Sequence, residues 1–184
     1  FLHGLQIWVA LPKHLEEIQP SFAHFEADEI PAWRENGVDF KLIAGEALGH
    51  KSPVPVYSPL YFIELKNTTP QTVSIGKGLF GESALYILEG SIENDGHSYG
   101  PKQLLVAKEA SLCEFTMAEN TTLYIFGGEP FAEPRHIYWN FVASSPEKIE
   151  EAKERWLKQE FPKVPGETGF VPLPEQHTNF NFKK

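Results

Sequence analysis

Ser83-Ala84-Leu85-Tyr86-Ile87-Leu88-Glu89-Gly90-Ser91-Ile92-Glu93-Asn94-Asp95-Gly96-His97-Ser98-Tyr99 decides the fold. Runs of aliphatic and aromatic residues flank Asn94-Asp95-Gly96. Asp-Gly in that setting signals a hairpin, because both positions tolerate positive φ. The same grammar repeats along the chain. Strand-like runs are predicted at 2–11, 38–44, 60–66, 72–75, 84–93, 97–99, 103–107, 111–117 and 122–126. Gly, Pro or Asn separate them every 8–12 residues or so, the spacing of an all-β sandwich or barrel. The 15 prolines lie mainly between runs, where they remove no ladder hydrogen bond.

One helix is predicted after Ser145. That residue can cap it, Pro146 suits the first helical position, and Glu147 places negative charge in the first turn. Ile149, Ala152 and Trp156 share a face, and Phe161 closes the element. Glu151 with Arg155 and Glu154 with Lys158 form i,i+4 pairs on the outside, as expected of a surface helix covering the barrel. Residues 162–184 read as an extended tail. Residues 11–37, broken by Pro12, Pro20 and Pro31, read as an irregular link between two structural units. In the first run, His3, Leu5, Ile7 and Val9 alternate with Leu2, Gly4, Gln6 and Trp8. Both faces are largely apolar, which predicts a strand buried on both sides.

Composition removes whole classes of function. The 184 residues carry 25 acidic and 16 basic side chains, a formal net charge of −9, without the clustered Lys and Arg that a phosphate backbone requires. No direct nucleic-acid partner is expected. The longest apolar stretch, 54–63, is cut by Pro55 and Pro59 and falls short of the roughly 20 residues that span a bilayer. No membrane partner is expected either. A single cysteine, Cys113, forbids an internal disulfide and fits a reducing, cytoplasmic setting. The chain opens on Phe1, its only methionine is Met117, and its first residues have no basic start or cleavage pattern. They read as the middle of a longer protein.

No chemistry-bearing motif survives inspection. Gly76-Lys77-Gly78-Leu79-Phe80-Gly81 matches G-x-G-x-x-G, but a strand-like run follows where a dinucleotide site needs a helix N-terminus. A turn loop is the better reading. The seven histidines, His3, His14, His24, His50, His97, His136 and His177, are isolated, and none is paired at metal-ligand spacing. His24 and Glu26 make an H-x-E step, read as a surface pair. His3 reads as a hydrogen-bonded core residue and His97 as solvated. Cys113 sits among apolar neighbours without a basic partner, as a buried inert thiol does. Gly-x-Ser-x-Gly is absent, and 22 Glu against 3 Asp single out no acid/base pair. No catalytic, cofactor-binding or metal-ligating residue is nominated.

Several stretches together resemble a known family. His3-Gly4-Leu5-Gln6-Ile7-Trp8-Val9-Ala10-Leu11-Pro12 resembles the H-G-L-Q-L-W-V-N-L-P signature of the pirin family, with Ala10 in place of the usual Asn. Gly45-Glu46-Ala47-Leu48-Gly49 resembles its G-E-A-L-G segment, followed by residues 53–57 and Pro59-Leu60-Tyr61. Gly128-Glu129-Pro130 with Glu133-Pro134 resembles its G-E-P-x-x-E-P element. Phe141-Val142, the Pro146 helix and Phe170-Val171-Pro172-Leu173-Pro174 resemble its ending.

The resemblance implies a cupin-type β-barrel, or jelly roll, with one C-terminal covering helix, as part of a truncated bicupin. Residues 1–21 would then be the last strand or strands of an otherwise missing N-terminal cupin, with a linker. Residues 22–143 would be the C-terminal cupin, and 144–184 a helix and tail packing back on the barrels. Iron, held by three His and one Glu, is expected in the missing barrel and none in this chain. Aligned on Gly90, the cupin Glu position falls on Ser83 and the paired His positions on Lys77 and Leu79, or on Gly76 and Gly78. The downstream His position falls within 113–117, where there is none. The resemblance further implies a quercetin dioxygenase-type activity on a flavonoid-like substrate in the parent protein. Two alternatives stand beside it: a metal-dependent regulatory or transcription-cofactor-like protein, and a metal-free small-molecule-binding cupin. The expected partner of this chain is the missing N-terminal segment or a second copy.

Overall fold

The computed structural model describes residues 4–107, 109 and 114–174. Two compact units divide the chain, one of residues 18–130 and one of residues 1–17 with 131–184.

In the 18–130 unit, alternating apolar residues make the strands and choose their inward faces. One sheet contains β1 (Ala32–Glu35), β2 (Val38–Ala47), β4 (Leu60–Asn67), β11 (Thr122–Gly128), β6 (Glu82–Glu89) and β9 (Leu104–Ala107), in the order β1-β2-β4-β11-β6-β9. The short β3 (His50–Lys51) pairs with β2. A second sheet runs β5 (Gln71–Ser74), β10 (Glu114–Met117), β7 (Ile92–Asn94) and β8 (His97–Tyr99). All their pairings are antiparallel. Phe40, Leu42, Ile63, Leu65, Ile87, Leu123 and Ile125 of the first sheet join Val73, Ile92, Phe115 and Met117 of the second in one buried core.

Most predicted runs appear within a few residues of their expected limits. The 84–93 run divides in two, because Gly90 turns out of β6 with φ +76 and packs on Thr121. Asp95-Gly96 forms the two-residue turn between β7 and β8, both with positive φ. A buried polar corner closes the far end of β4. The Asn67 amide donates to Thr69 O and Ala118 O at 2.7 and 2.8 Å and accepts from Thr121 N–H at 2.9 Å.

The opposite end of the first sheet depends on backbone contact without side chains. A Cβ on Gly45 would stand 1.8 Å from Leu60 O, and one on Gly81 would stand 2.0 Å from Gly128 O. Leu60 and Gly128 are themselves cross-strand partners, so β2, β4, β11 and the start of β6 meet along one line. Gly45 also has φ +81, which an L side chain resists.

Two expectations need correction. Residues 4–12 form no strand, since no segment among the described residues offers them a ladder. Alternation shows that a segment can be a strand, but the backbone needs a neighbour's N–H and C=O groups to become one. Leu5, Ile7, Trp8 and Val9 are accordingly exposed by 45, 39, 57 and 56%. The 11–37 stretch is not wholly irregular, because it contains β1, joined to β2 by an Asn36-Gly37 turn with both φ positive. The helix, α1 (Pro146–Leu157), packs on a hairpin of β12 (His136–Tyr138) and β13 (Phe141–Ala143), which share its unit. Its Ser145 cap and the Glu154–Lys158 pair are present, whereas Arg155 lies over the Phe161 ring at 4.6 Å.

Charge ties the N-terminal segment into this second unit. The Glu16 side chain, 8% exposed, accepts from Ser144 N–H at 2.6 Å, Ser144 Oγ at 3.0 Å and Lys148 Nζ at 2.9 Å. Arg135 lies beside it and donates from Nε and Nη2 to Leu11 O at 3.3 and 3.1 Å. Burial pushes the Glu16 carboxyl up, but the Lys148 and Ser144 hydrogen bonds and the Lys148 charge outweigh it and hold the pKa below its usual value.

Two predictions follow the geometry. Gly45→Ala should cost at least about 3 kcal/mol, summing a strained φ with a backbone collision. Gly96→Ala, with open space around it, should cost about 1 kcal/mol. Equal shifts in denaturant unfolding would refute the close-approach argument. For Glu16, a depressed folded pKa means stability that is present above the unfolded value near 4.3 and lost as pH falls through the folded one. Glu16→Gln should therefore destabilise at pH 7 by about 2 kcal/mol and flatten that acid limb. An unchanged acid limb in urea titrations across pH would count against the assignment.

Candidate functional site

The glycine loop is the first place to test for chemistry. Gly76–Gly78 forms a single tight turn, with Gly78 N–H donating to Ile75 O at 2.9 Å and Leu79 N–H to Gly76 O at 3.1 Å. Strand β6 follows at Glu82, so there is no helix N-terminus to meet a pyrophosphate. Its glycines serve packing instead.

The tip of the β2–β3 hairpin lies against this turn. Leu48 N–H donates to Gly78 O at 3.2 Å, and a Cβ on Gly78 would stand 2.3 Å from Leu48 Cδ2. The space of a side chain at 78 is therefore filled by the Leu48 isobutyl group. Two residues on, the His50 ring stacks on Trp33 with centroids 3.9 Å apart and planes 14° apart, and Trp33 stacks in turn on Phe40. The hairpin tip is clamped at both ends.

A metal-binding cupin would place its ligands here, and these residues do not fit one. Leu79 is buried in the apolar core, Lys77 is exposed and cationic, Gly76 and Gly78 have no donor side chain, and Ser83 is a neutral hydroxyl. Among the described residues no three His, Cys, Asp or Glu side chains come together to hold a metal.

Beside the glycine crossing lies an open cleft of about 600 Å³. Val54, Pro55, Val56, Pro59, Leu60 and Phe80 give it an apolar lining, and Glu46 and Lys51 stand at its edge as an exposed ion pair, 3.5 Å apart. Its base is rigid. Ser52 Oγ donates to Ile43 O at 2.8 Å, at the bulge between Leu42 and Ala44, and accepts from Val54 N–H at 3.2 Å. Such a cleft can take an apolar molecule of drug-like size. Glu46 and Lys51, paired with one another, are its titratable lining residues.

Among the described residues, no histidine lines this cleft. His24 Nε2 meets Glu26 Oε1 at 3.0 Å with both side chains exposed, an ordinary surface pair. His97 is exposed beside the Asp95 carbonyl at 3.0 Å. His3, His177 and Cys113 lie outside the described residues. Sequence reasoning missed the cleft because its walls come from segments 45–60 and Phe80, which only the glycine crossing brings together. That crossing is also where the G-E-A-L-G, Pro59-Leu60 and G-E-P stretches meet, with Glu129 N–H donating to Pro59 O at 3.1 Å.

Comparison with known proteins agrees with this architecture. The pirin C-terminal cupin domain matches residues 63–162, more than half of the chain. The pirin-like protein of Caulobacter vibrioides is 42% identical over 95% of this chain and 60% of its own length. Pirin of Rattus norvegicus is 28% identical over 82% of the chain and 54% of its own length. A quercetin 2,3-dioxygenase structure from Acinetobacter baumannii superposes with a TM-score of 0.78 at 28% identity, covering 94% of this chain and 59% of that one. The chain thus spans between half and three-fifths of these relatives. No helix is long and apolar enough to cross a membrane among the described residues. Mostly β, with a cupin core and one α-helix among the described residues, the chain belongs to the pirin family of the cupin superfamily.

Proposed function

We propose that this chain supplies the second cupin of a cytoplasmic, iron-dependent protein with quercetin 2,3-dioxygenase-type activity. The metal belongs to a first barrel outside this chain, and the chain alone does not turn over substrate. One observation carries the reading. The match is to a C-terminal cupin domain, while the equivalent ligand positions of this barrel are filled by Lys77, Leu79 and the Leu48 side chain packed on Gly78. The likeness to the Acinetobacter dioxygenase supports the substrate class, a flavonol whose ring a metal and oxygen open.

The N-terminal segment supports the partner. Side chains of both parities, Leu5, Ile7 and Val9 with Trp8, are exposed on a backbone without a ladder. A sheet that received this segment would satisfy its backbone and cover both faces, and the first barrel is the occupant that fits.

The test uses a longer form that carries the upstream barrel, alongside the chain itself. Mass-spectrometric metal analysis should find near-stoichiometric iron in the longer form only, and oxygen uptake with quercetin should follow the iron. Stoichiometric iron in the 184-residue chain, or no uptake by the iron-loaded longer form, would overturn the proposal.

A further inference from the structure

The helix-and-hairpin unit presents an aromatic surface built from its hairpin, α1 and the tail. Trp139 sits at the tip of the β12–β13 hairpin with φ +50, a conformation costly for a bulky residue. That backbone brings its ring edge-on to Trp156 of α1, with centroids 5.0 Å apart, and to Phe141 at 5.8 Å. Phe161 stacks on Phe141 at 5.9 Å, with planes 14° apart. Five-ring packing is completed by Phe170 of the tail, stacked on Trp156 at 5.7 Å.

The tail is held in a particular way. Trp156 Nε1–H donates to Val171 O at 2.8 Å, and the Tyr138 hydroxyl donates to Pro174 O at 3.3 Å. Both are side-chain donors taking backbone carbonyls three residues apart. Pro172 and Pro174 have no N–H and fix their own φ, and they push Val171 and Leu173 into extended conformations. A chain of that kind favours a polyproline helix of three residues per turn, which brings carbonyls at i and i+3 to one edge. Aromatic donors reading such an edge are the recognition mode of proline-rich peptides. Phe170 and Val171 are still 43 and 63% exposed, so the tail rests on the surface and is not woven into the core.

We infer that Tyr138 and Trp156, the latter backed by Trp139, form a receptor surface for extended peptides with an aromatic residue followed by x-Pro-x-Pro. Residues 170–174 are its built-in ligand. Tethering gives the tail a high effective concentration, so a peptide from another molecule binds only where the tail is weakened or outcompeted. The tail is thereby an internal inhibitor of this surface.

The experiment uses full-length chains and a synthetic peptide of residues 167–174, Glu-Thr-Gly-Phe-Val-Pro-Leu-Pro, titrated by calorimetry. Phe170→Ala loosens the internal tail and should raise peptide affinity at least about tenfold over the unsubstituted chain. Adding Trp156→Phe, which keeps a ring but removes the N–H donor, should then lower affinity by about tenfold, the loss of one good hydrogen bond with its packing. Should Phe170→Ala fail to fold by circular dichroism, the Pro172→Ala/Pro174→Ala chain takes its place in the same titration. The inference is overturned if the loosened chain shows no binding at millimolar peptide. It is equally overturned if loosened and unsubstituted chains bind alike, or if Trp156→Phe changes nothing.

Discussion

The cupin unit depends on backbone meeting backbone at Gly45–Leu60 and Gly81–Gly128. Strands in one sheet ordinarily keep their distance through the ladder, and side chains fill the faces. Here the ends of β2 and β4 and the approach to β6 come closer than any Cβ permits, with Gly128 of β11 paired to Leu60 between them. The consequence is directional. Ser52 N–H donates to Gly45 O at 2.9 Å, and the Gly45 turn sends the chain out into the hairpin whose tip returns to Gly78. Move that crossing and the cleft, the hairpin and the glycine turn separate together.

Seen this way, the short motifs that carry the family resemblance are one physical object. G-E-A-L-G provides Gly45 and the Leu48 tip, Pro59-Leu60 provides the carbonyls that receive Gly45 and Glu129, and G-E-P provides Gly128. Their role in this barrel is steric. It also accounts for the glycines of a loop that imitates a nucleotide motif. Small residues are needed at 78 and 81 because Leu48 and Gly128 O already occupy the space.

Legibility in the sequence followed the range of the interactions. Asp95-Gly96, the Ser145-Pro146 helix start and the core alternation of β2, β4, β6 and β11 are local signals, and the structure keeps them. Asn36-Gly37 is equally local, but the prolines around it argued for a linker, and β1 was hidden behind them. The 2–11 run carried the right alternation and no partner, which alternation cannot report. Longer-range features left no pattern at all. Glu16 meets Ser144 and Lys148 across more than a hundred residues, and Asn67 meets Thr121 across 54. In a chain with 22 Glu, nothing local marks one of them as buried.

Backbone strain is also found at two hairpin tips that the packing holds, apart from Lys102 and Gln159, which lie outside hairpin turns. Of the non-glycine residues with positive φ, Asn36, Asp95 and Asn120 are the small polar types that tolerate it. Leu48 and Trp139 are not, and each stands at the first position of a two-residue hairpin turn. A strain of about 1–3 kcal/mol persists only where the surroundings over-determine it. Leu48 is fixed by Gly78 and, through His50, by the Trp33 stack. Trp139 is fixed by Trp156 and Phe141, which builds the surface under the tail. Polar residues at both turns would relieve the strain and keep the hairpins, so turn formation does not account for these side chains. What they reach does: the glycine turn in one unit and a tail-bearing aromatic face in the other.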